Sequence, residues 1–217
     1  MNDRQDTKTR ILDVAERLFG ANGFDSTSLR DITAEAQVNL AAVNYHFQSK
    51  DSLIDAVIAR RIEPVNRKRL EMLDNAGPNP TLEQILASFL QPVLELHCEN
   101  VAPLVGRFLA EPRQFFERVY KKHFQPISQR FQDELAKALP ELPPEERLWR
   151  LYFSVGVMTH LMSWSPVLPE LSGGLCDATD RQALVERAMA FLAAGFRAPL
   201  SIQCQQTKEP TLVHTGA

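Results

Sequence analysis

The stretch STSLRDITAEAQVNLAAVNYHFQSK, residues 26–50, predicts two short helices joined by a tight turn. The Ser/Thr run at 26–28 supplies N-cap candidates for the first helix, and the second helix is expected from about 40 to 46. Gln37 lies where the chain must turn sharply, so we expect a left-handed backbone there. Small and polar side chains point outward from the second helix. This is the layout of a helix-turn-helix, whose second helix enters the DNA major groove.

The inner and outer faces of this motif predict different roles. The inner face is apolar and fixes the angle between the helices; it consists of Leu29, Ile32, Ala36, Val38, Val43 and Phe47. The candidates for base contacts on the outer face are Asn39, Leu40, Ala41 and Asn44. Asn44 can pair with adenine through two hydrogen bonds, and Leu40 or Ala41 can meet a thymine methyl group. The candidates for phosphate contacts are Thr27, Ser28, Tyr45, His46 and Lys50.

Two of these assignments have a simpler alternative. Asn39 can serve merely as the N-cap of the second helix. Tyr45 can be a core aromatic whose hydroxyl is hydrogen-bonded within the protein. The sequence leaves both alternatives open.

The charge balance of this region does not by itself favour DNA. Residues 1–60 hold seven Lys/Arg against nine Asp/Glu, and the whole chain has a formal net charge of −3. A general polyanion binder would be basic. Binding must therefore depend on a local arrangement, with Lys8, Arg10, Arg30 and Lys50 facing one way, and on two copies acting together.

Helical periodicity continues on both sides of the motif. Apolar spacing predicts helices over 7–22, 50–73, 81–98, 115–139, 145–165 and 180–197, with a short helix near 104–109. Pro64, Pro92 and Pro126 are expected to bend or divide three of them. The helix at 145–165 is apolar almost all round, which predicts burial on several sides. Without any strand signal, the predicted fold is all-α with about nine helices.

The connecting segments are recognised by composition. The clearest linker is AGPNP at 76–80, and residues 166–178 form a predicted Pro/Gly loop. Residues 198–217 are polar and aperiodic, so we expect a disordered tail.

Composition excludes several classes of protein. Apolar residues make up 44% of the chain and charged residues 24%, as in a folded soluble domain. Cys98, Cys176 and Cys204 are far apart, which argues against a disulfide framework or a structural zinc site. The charged N-terminus does not resemble a signal peptide, and no apolar run is long enough for a membrane span. These features predict a cytoplasmic protein.

No catalytic constellation is present in the sequence. The histidines form neither HxxxH nor HExxH, and neither a Gly-rich phosphate loop nor GxSxG occurs. We therefore expect no enzyme activity, no catalytic residue, no metal site and no cofactor.

The order of residues 11–57 closely resembles the N-terminal domain of the TetR family of transcriptional repressors. The matching motifs are the run AxxLFxxxGF from Ala15 to Phe24, TSLRDI at 27–32, the turn at Val38 and YHFQSKDSL at 45–53. Gln37 departs from the pattern, which usually has glycine there. The resemblance implies a helix-turn-helix domain at 1–52 and a helical effector-binding and dimerisation domain at 53–197. It also places DNA contacts at the positions derived above.

Large apolar residues concentrate on the middle helices, where the resemblance implies an effector site. Each of them is individually a core candidate; together they predict a cavity lined by Phe89, Leu94, Phe108, Phe115, Phe116, Tyr120, Trp149, Phe153, Val157, Met158 and Leu161. The candidates for its polar end are His97, Arg107, Arg113, Tyr120, Arg150 and His160. Segments such as TLEQILASFLQ and LWRLYFSVG resemble fatty-acid-responsive members of the family. An acyl chain or acyl-CoA is therefore the expected effector.

The last two predicted helices carry more apolar surface than a monomer needs. On the final helix this surface includes Leu184, Val185, Ala188, Met189 and Leu192. Two copies can form a four-helix interface, so we predict a homodimer whose two recognition helices read a pseudo-palindrome. The alternative is that these residues belong only to the core of their own chain.

Together these features predict a repressor that a hydrophobic effector releases from operator DNA. Two alternatives stay open: a multidrug-efflux regulator that binds varied lipophilic compounds, and a helical adaptor that does not bind DNA.

Overall fold

The computed structural model describes residues 2–95, 108 and 111–200 of the chain. Within these ranges all regular structure is helical, which confirms the predicted all-α fold. The α-helices are α1 (Asn2–Asn22), α2 (Leu29–Ala36), α3 (Leu40–Phe47), α4 (Lys50–Asn75), α5 (Leu82–Glu95), α6 (Arg113–Val119), α7 (Gln125–Ala138), α8 (Pro144–Trp164), α9 (Leu168–Leu171) and α10 (Arg181–Arg197). A π-helical turn, Tyr120–Phe124, joins α6 to α7, and a 3₁₀ turn, Ser165–Val167, joins α8 to α9.

Side-chain caps define where the helices around the motif begin. The hydroxyl of Ser28 accepts from the backbone N–H of Asp31, whose carboxylate accepts from the backbone N–H of Ser28 at 2.8 Å. This capping box satisfies two donors that no helical carbonyl can reach. Asn39 caps α3 by accepting from the N–H of Ala42, and Ser49 caps α4. The simpler alternative for Asn39, that it is the N-cap of this helix, is therefore confirmed, and its DNA contact stays a prediction.

Within the described ranges, two residues other than glycine have a positive φ. Gln37 adopts the left-handed conformation with φ 53° and ψ 47°, as predicted. Gln48, which the sequence analysis missed, has φ 66° and ψ −42°. Around it the N–H of Ser49 donates to the carbonyl of Phe47 at 2.7 Å. This is a γ-turn of the strained kind, and it sets the angle between α3 and α4.

Replacing Gln48 by glycine is expected to raise the free energy of unfolding by about 1 kcal/mol. The reason is that such strain costs on the order of 1–3 kcal/mol for a residue with a Cβ, while glycine loses only about 0.5–1 kcal/mol in chain entropy. Gln48→Ala keeps the Cβ and is the matched control. Urea denaturation compares the two variants, and an alanine variant as stable as the glycine variant would contradict the assignment of strain to the Cβ.

The three prolines predicted to bend or divide helices do not all act alike. α4 runs through Pro64 and α5 through Pro92, so neither proline divides its helix. Pro126 lies in the first turn of α7, directly after the π turn, in which the N–H of Gln125 donates to the carbonyl of Tyr120. Proline has no N–H and its ring crowds the preceding turn, so the hydrogen-bond ladder widens there. The predicted single helix over 115–139 is interrupted for this reason.

The N-terminal core joins α1, α2, α3 and the first turns of α4. Its buried members include Ile11, Phe19, Phe24, Ile32, Val43, Phe47, Leu53 and Val57. Phe108 and Phe115 pack against this core from the rest of the chain, and the ring centroids of Phe24 and Phe115 are 5.1 Å apart. The core thus extends past residue 52 into α4, which both parts of the molecule share.

The C-terminal core joins the end of α4 with α5, α7, α8 and α10. Its buried members include Leu73, Ile85, Leu86, Leu90, Phe131, Leu135, Val185 and Phe196. The rings of Phe89 and Phe131 meet edge to face, with centroids 5.4 Å apart.

In the single chain, α8 is not buried on several sides as predicted. Trp149, Tyr152 and Phe153 are 50%, 68% and 57% exposed, while Leu151 and Ser154 face the core. A helix that is apolar all round gives no sign of which side faces inward.

The predicted 166–178 loop is also partly helical, because it contains α9 and part of the 3₁₀ turn. The predicted helix near 104–109 lies outside the described residues except for position 108, and the tail lies outside them from residue 201 onward. None of the helices in the described part is both long and apolar enough to cross a bilayer.

Candidate functional site

The outer face of α3 is accessible to a partner. Its exposed side chains are Leu40, Ala41, Asn44 and Tyr45, of which Tyr45 is 68% exposed. On the opposite face Val43 and Phe47 are buried in the N-terminal core, which prevents rotation of the helix about its axis. The half-buried ring of His46 lies edge-on to Tyr45, with centroids 5.1 Å apart. The structure therefore presents four predicted DNA contacts together on one short helix.

Three other predicted contacts are already engaged within the fold. Thr27 is 1% exposed, and its hydroxyl donates to the carbonyl of Gly23 at 2.9 Å, so its predicted phosphate contact is not available. The hydrogen bonds from Ser28, the side-chain bond first, lower the pKa of Asp31 and keep a negative charge at the start of α2. That charge disfavours a phosphate beside Ser28. The side-chain oxygen of Asn39 accepts one hydrogen bond in the cap, which fixes the orientation in which its amide could meet DNA.

Lys50 lies in the first turn of α4, and its Nζ donates to the carbonyl of Asp25 at 3.1 Å. The carboxyl of Glu111, just before α6, approaches the same place. Burial, and then the charge of Asp25, raise the pKa of Glu111, while Lys50 opposes that rise. Lys50 is thus held at the point where the N-terminal core meets the remainder of the chain.

Ion pairing changes the charge of the N-terminal surface. Arg61, Arg118 and Lys122, all outside residues 1–60, neutralise acidic groups within that region. Their pairs are Arg61–Glu16, Arg118–Asp51 and Lys122–Asp55. Two further pairs lie within the region, Arg17–Glu35 and Arg60–Asp13. By contrast, no ion pair within the described ranges involves the four bases predicted to face DNA, which are Lys8, Arg10, Arg30 and Lys50. The acidic balance of the sequence therefore overstates the negative charge that DNA would meet.

The residues predicted to line an effector cavity lie in several different places. Phe89 and Leu94 belong to the C-terminal core, and the half-buried side chains packed against it include Val157, Met158 and Leu161. Phe116 and Tyr120 stack on each other at the π turn, with centroids 6.1 Å apart. Phe116 also lies against Phe108, with ring centroids 5.1 Å apart, so only the five residues of the C-terminal core lie together.

Four predicted lining residues lie elsewhere. Phe108 and Phe115 pack on the N-terminal core. Trp149 and Phe153 stack on each other on the exposed face of α8, with centroids 5.8 Å apart. They face away from the C-terminal core, because positions 149 and 153 are on the opposite side of the helix from Leu151 and Ser154.

The predicted polar anchors have other partners. Arg150 caps the end of α10 through the carbonyls of Gly195, Phe196 and Ala198. Arg113 pairs with Glu117 on the surface at 2.7 Å. The exposed ring of His160 stacks on Trp164. His97 and Arg107 lie outside the described residues.

Sequence reasoning missed a polar group in this region. Arg69 on α4 is 4% exposed and reaches the carbonyl of Phe89, the amide oxygen of Asn66 and the sulfur of Met158. Its position in the chain gives no sign of burial, since it follows Arg67 and Lys68 in a run of basic residues that is typical of a solvated surface. Only the packing of α5 and α8 against α4 buries it.

The two halves of the chain match two known sequence families. Residues 11–57 match the family described as bacterial regulatory proteins, tetR family, and residues 87–195 match the tetracyclin repressor-like C-terminal domain. The chain belongs to the TetR family of transcriptional regulators. TetR-family regulators are DNA-binding transcription factors and not enzymes; they bind operator DNA and small-molecule ligands, and they act as dimers.

Curated relatives match different lengths of this TetR-family chain. The probable HTH-type transcriptional regulator YttP of Bacillus subtilis is 32% identical over 80 residues, which are 37% of this chain and 39% of YttP. IcaR of Staphylococcus aureus, a negative transcriptional regulator of the biofilm operon icaADBC, is 23% identical over 157 residues, which are 72% of this chain and 81% of IcaR. The YttP match therefore covers well under half of each chain.

Solved structures share the TetR-family fold over most of this chain. GusR of Salmonella enterica superposes with a TM-score of 0.61 at 18% identity, over 88% of this chain and 96% of GusR. A putative transcriptional regulator from Pseudomonas aeruginosa superposes with a TM-score of 0.62 at 16% identity, over 88% of this chain and 92% of that regulator. The multidrug binding protein EbrR, complexed with malachite green, superposes with a TM-score of 0.55 at 20% identity, over 89% of this chain and 98% of EbrR. At these identities the likeness concerns the fold alone.

The TetR-family dimer needs an apolar surface, and the structure locates exposed apolar groups on α8 and α10. Besides the α8 aromatics, Phe191 is 69% exposed. The predicted dimer residues Val185, Ala188 and Leu192 instead face the core of their own chain, while Leu184 and Met189 are half-buried. Three side chains predicted to meet the partner are therefore already buried within their own chain, and the choice of these two helices as the interface stays a prediction.

No cluster of three His, Cys, Asp or Glu side chains that could hold a metal occurs in the part of the chain that the structure describes.

Proposed function

We propose that this regulator is a repressor that binds a pseudo-palindromic operator as a homodimer and is released by a small hydrophobic effector. The observation that supports it most is the exposure of four side chains on the outer face of α3: Leu40, Ala41, Asn44 and Tyr45. Two nearby carboxylates, those of Asp51 and Asp55, are neutralised by ion pairs. A helix with this face can enter a major groove. As a DNA-binding protein without a membrane-spanning helix in its described part, it is proposed to act in the cytoplasm.

Dimerisation is proposed through the exposed faces of α8 and α10. Trp149, Tyr152 and Phe153 form one aromatic surface, and Phe191 adds to it from α10. Exposed aromatic groups of this size are unusual on a monomer and are enriched in interfaces. Two copies related by a two-fold axis would bring two α3 helices to successive half-sites about 34–36 Å apart.

The proposed coupling is antagonism between effector and operator. An effector bound among α4, α5, α7 and α8 would favour a dimer whose recognition helices no longer match the half-site spacing. Two ion pairs, Arg118–Asp51 and Lys122–Asp55, connect α6 and the π turn to the start of α4 and can transmit the change. Reciprocity requires that operator DNA weaken effector binding by the same factor.

The proposed effector is lipophilic, with fatty-acyl compounds as the first candidate. The half-buried side chains along α8, together with Phe89 and Leu94, provide the apolar surface such a ligand needs. The second candidate is a set of varied lipophilic compounds, as for a multidrug regulator; EbrR, which shares the fold, was solved with malachite green.

The decisive experiment is a fluorescence-anisotropy titration of the full-length dimer with its upstream intergenic DNA at two salt concentrations. We expect specific binding that weakens at the higher salt, because phosphate contacts release counterions. A helical adaptor without DNA binding would show no preference for the upstream DNA over random DNA, and that result would overturn the proposal. Adding lipophilic compounds to the complex then tests release.

Asn44→Ala is expected to weaken operator binding by about tenfold to a hundredfold, because one bidentate base contact contributes about 1–3 kcal/mol of discrimination. Binding to random DNA should hardly change. The matched control is Lys50→Met, which should weaken binding to the operator and to random DNA alike. It should also reduce the salt dependence of the affinity. Equal losses on both DNAs for Asn44→Ala would contradict base readout by this residue.

A further inference from the structure

Arg69 is a buried cation in the interior of the C-terminal core. Its Nε donates to the carbonyl of Phe89 at 3.0 Å, its Nη1 to Asn66 at 3.2 Å and its Nη2 to the sulfur of Met158 at 3.1 Å. The guanidinium also lies over the ring of Phe89, 4.6 Å from the centroid. No carboxylate of the described residues forms an ion pair with it.

This guanidinium is charged at neutral pH. Burial lowers the pKa of Arg69, but only to about 10. A buried charge is costly unless an opposite charge faces it. Each other buried ion of the described part has such a partner; the pairs are Glu16–Arg61, Glu134–Arg130 and Glu146–Arg150. Arg69 differs from them because its three acceptors are all neutral.

The acceptor on Nη2 is the weakest of the three. A thioether sulfur accepts poorly, and the unbranched side chain of Met158 moves at little cost. A carboxylate in its place would accept two parallel hydrogen bonds from the guanidinium and neutralise it. Val157, Leu161 and Met162, half-buried beside Met158, offer apolar surface to the remainder of such a molecule.

We infer that Arg69 anchors the effector and that the effector is a lipophilic carboxylate rather than a neutral or cationic lipophile. This inference rests on the proposed function and specifies its ligand class. The carboxylate displaces the sulfur of Met158 from Arg69, and the apolar part of the ligand lies along α8. A lipophilic cation is excluded from the same place by repulsion from the guanidinium.

The same contacts lead towards the DNA-binding domain. Asn66, which accepts from Arg69, donates through its amide to the carbonyl of His123 in the π turn at 3.0 Å. The adjacent Lys122 pairs with Asp55 on α4 at 2.8 Å. A ligand that draws Arg69 away from Asn66 therefore acts on the turn that holds the start of α4.

The rival explanation is that Arg69 is purely structural. Pro92 lacks the N–H that would bond the carbonyl of Ser88, and Arg69 supports the next carbonyl, that of Phe89. A structural role predicts that Arg69→Met lowers the melting temperature of the unliganded protein. An anchoring role predicts a melting temperature equal to or above that of the wild type, because an uncompensated charge is removed.

The test is calorimetric titration of the full-length wild type, Arg69→Met and Arg69→Lys with saturated carboxylates of eight, twelve and sixteen carbons. Primary alcohols and amines of the same lengths are the comparison ligands. We expect the wild type to prefer the best carboxylate over its alcohol by at least about tenfold, as for one charge-assisted hydrogen-bonded pair. Arg69→Met should lose that preference with its alcohol affinity unchanged, and Arg69→Lys should keep part of it.

Several results would overturn the inference. These are equal binding of carboxylate and alcohol by the wild type, a preference that survives in Arg69→Met, no binding of any carboxylate, or a lowered melting temperature of unliganded Arg69→Met. The side chains of Glu95 and Glu99 lie outside the described ones, so an internal counter-ion is tested by Glu95→Gln and Glu99→Gln. A marked loss of melting temperature in either variant would give Arg69 a partner in its own chain and overturn the inference as well.

Operator binding, measured on the same samples, separates this inference from the proposed function. If alcohols and carboxylates release DNA equally well, the inference that Arg69 anchors a carboxylate is wrong, while the proposed function as an operator-binding regulator is upheld. If the unliganded wild type does not bind its operator, the proposed function is wrong, whatever Arg69 binds.

Discussion

Arg150→Ala should lower the free energy of unfolding by about 3–5 kcal/mol, the usual effect of breaking a buried ion pair. Arg150 is 8% exposed, and its Nε and Nη2 donate to Glu146 at 3.2 and 3.0 Å. Its Nη1 donates to the carbonyls of Gly195, Phe196 and Ala198 at 3.1, 2.7 and 2.9 Å. The substitution removes the cation facing Glu146 and the hydrogen bonds by which this side chain joins α8 to the last turn of α10.

Guanidinium denaturation of the full-length protein measures this effect. Arg197→Ala is the matched control, because Arg197 pairs with Glu83 at the surface, where ion pairs contribute about 0–1 kcal/mol. The double variant Glu146→Gln/Arg150→Met should recover part of the loss, since no buried charge is then left uncompensated. Similar losses for Arg150→Ala and Arg197→Ala would contradict the structural role assigned to Arg150.

Phe153→Glu should convert the dimer to a monomer and weaken operator binding by at least about a hundredfold. Phe153 is 57% exposed and stacks on Trp149, in the middle of the aromatic surface proposed to meet a second copy. In a two-fold interface each substitution occurs twice, so two carboxylates would be buried among aromatic rings without a partner. Operator binding weakens because a monomer contacts one half-site only. In a dimer, binding of one recognition helix raises the effective concentration of the other at its half-site.

Size-exclusion chromatography with light scattering and operator titration measure the two effects. Leu171→Glu is the matched control: Leu171 is 73% exposed on α9 and does not belong to the aromatic surface as defined above. It should remain dimeric and keep its operator affinity. If the Phe153→Glu variant remains dimeric, α8 does not form the interface. If the variant is monomeric but keeps its full operator affinity, the DNA is not read by two copies together.

Local chemistry in the sequence was sufficient to predict the DNA-binding motif. Ser28, Asn39 and Ser49 cap helices by hydrogen bonds that span three residues, so their effect can be read from spacing alone. The same holds for the left-handed Gln37, because a tight turn between two helices requires such a residue. Gln48 escaped prediction because its γ-turn results from the docking of α4 on the N-terminal core, and no glycine marks it.

The charge of the DNA-binding surface was beyond the reach of sequence counting. Asp51 and Asp55 are neutralised by Arg118 and Lys122, about 67 residues away along the chain. A count over residues 1–60 includes the two acids and omits the two bases. Ion pairs between distant segments exist only after α6 and the π turn have docked on α4.

The sequence alone was enough to predict an all-α fold, the caps of the helix-turn-helix and the short helix that carries Asn44 and Tyr45 outward. It did not predict where every helix begins, since α1 begins at Asn2 and not at residue 7. Three features became visible only in the folded chain: the side of α8 that faces the core, the burial of Thr27, and the enclosure of Arg69 without a carboxylate partner in the described part. The difference lies in how far along the chain each interaction reaches. Caps, turns and helical periodicity act over a few residues, whereas burial and ion pairing depend on the segments that packing brings together.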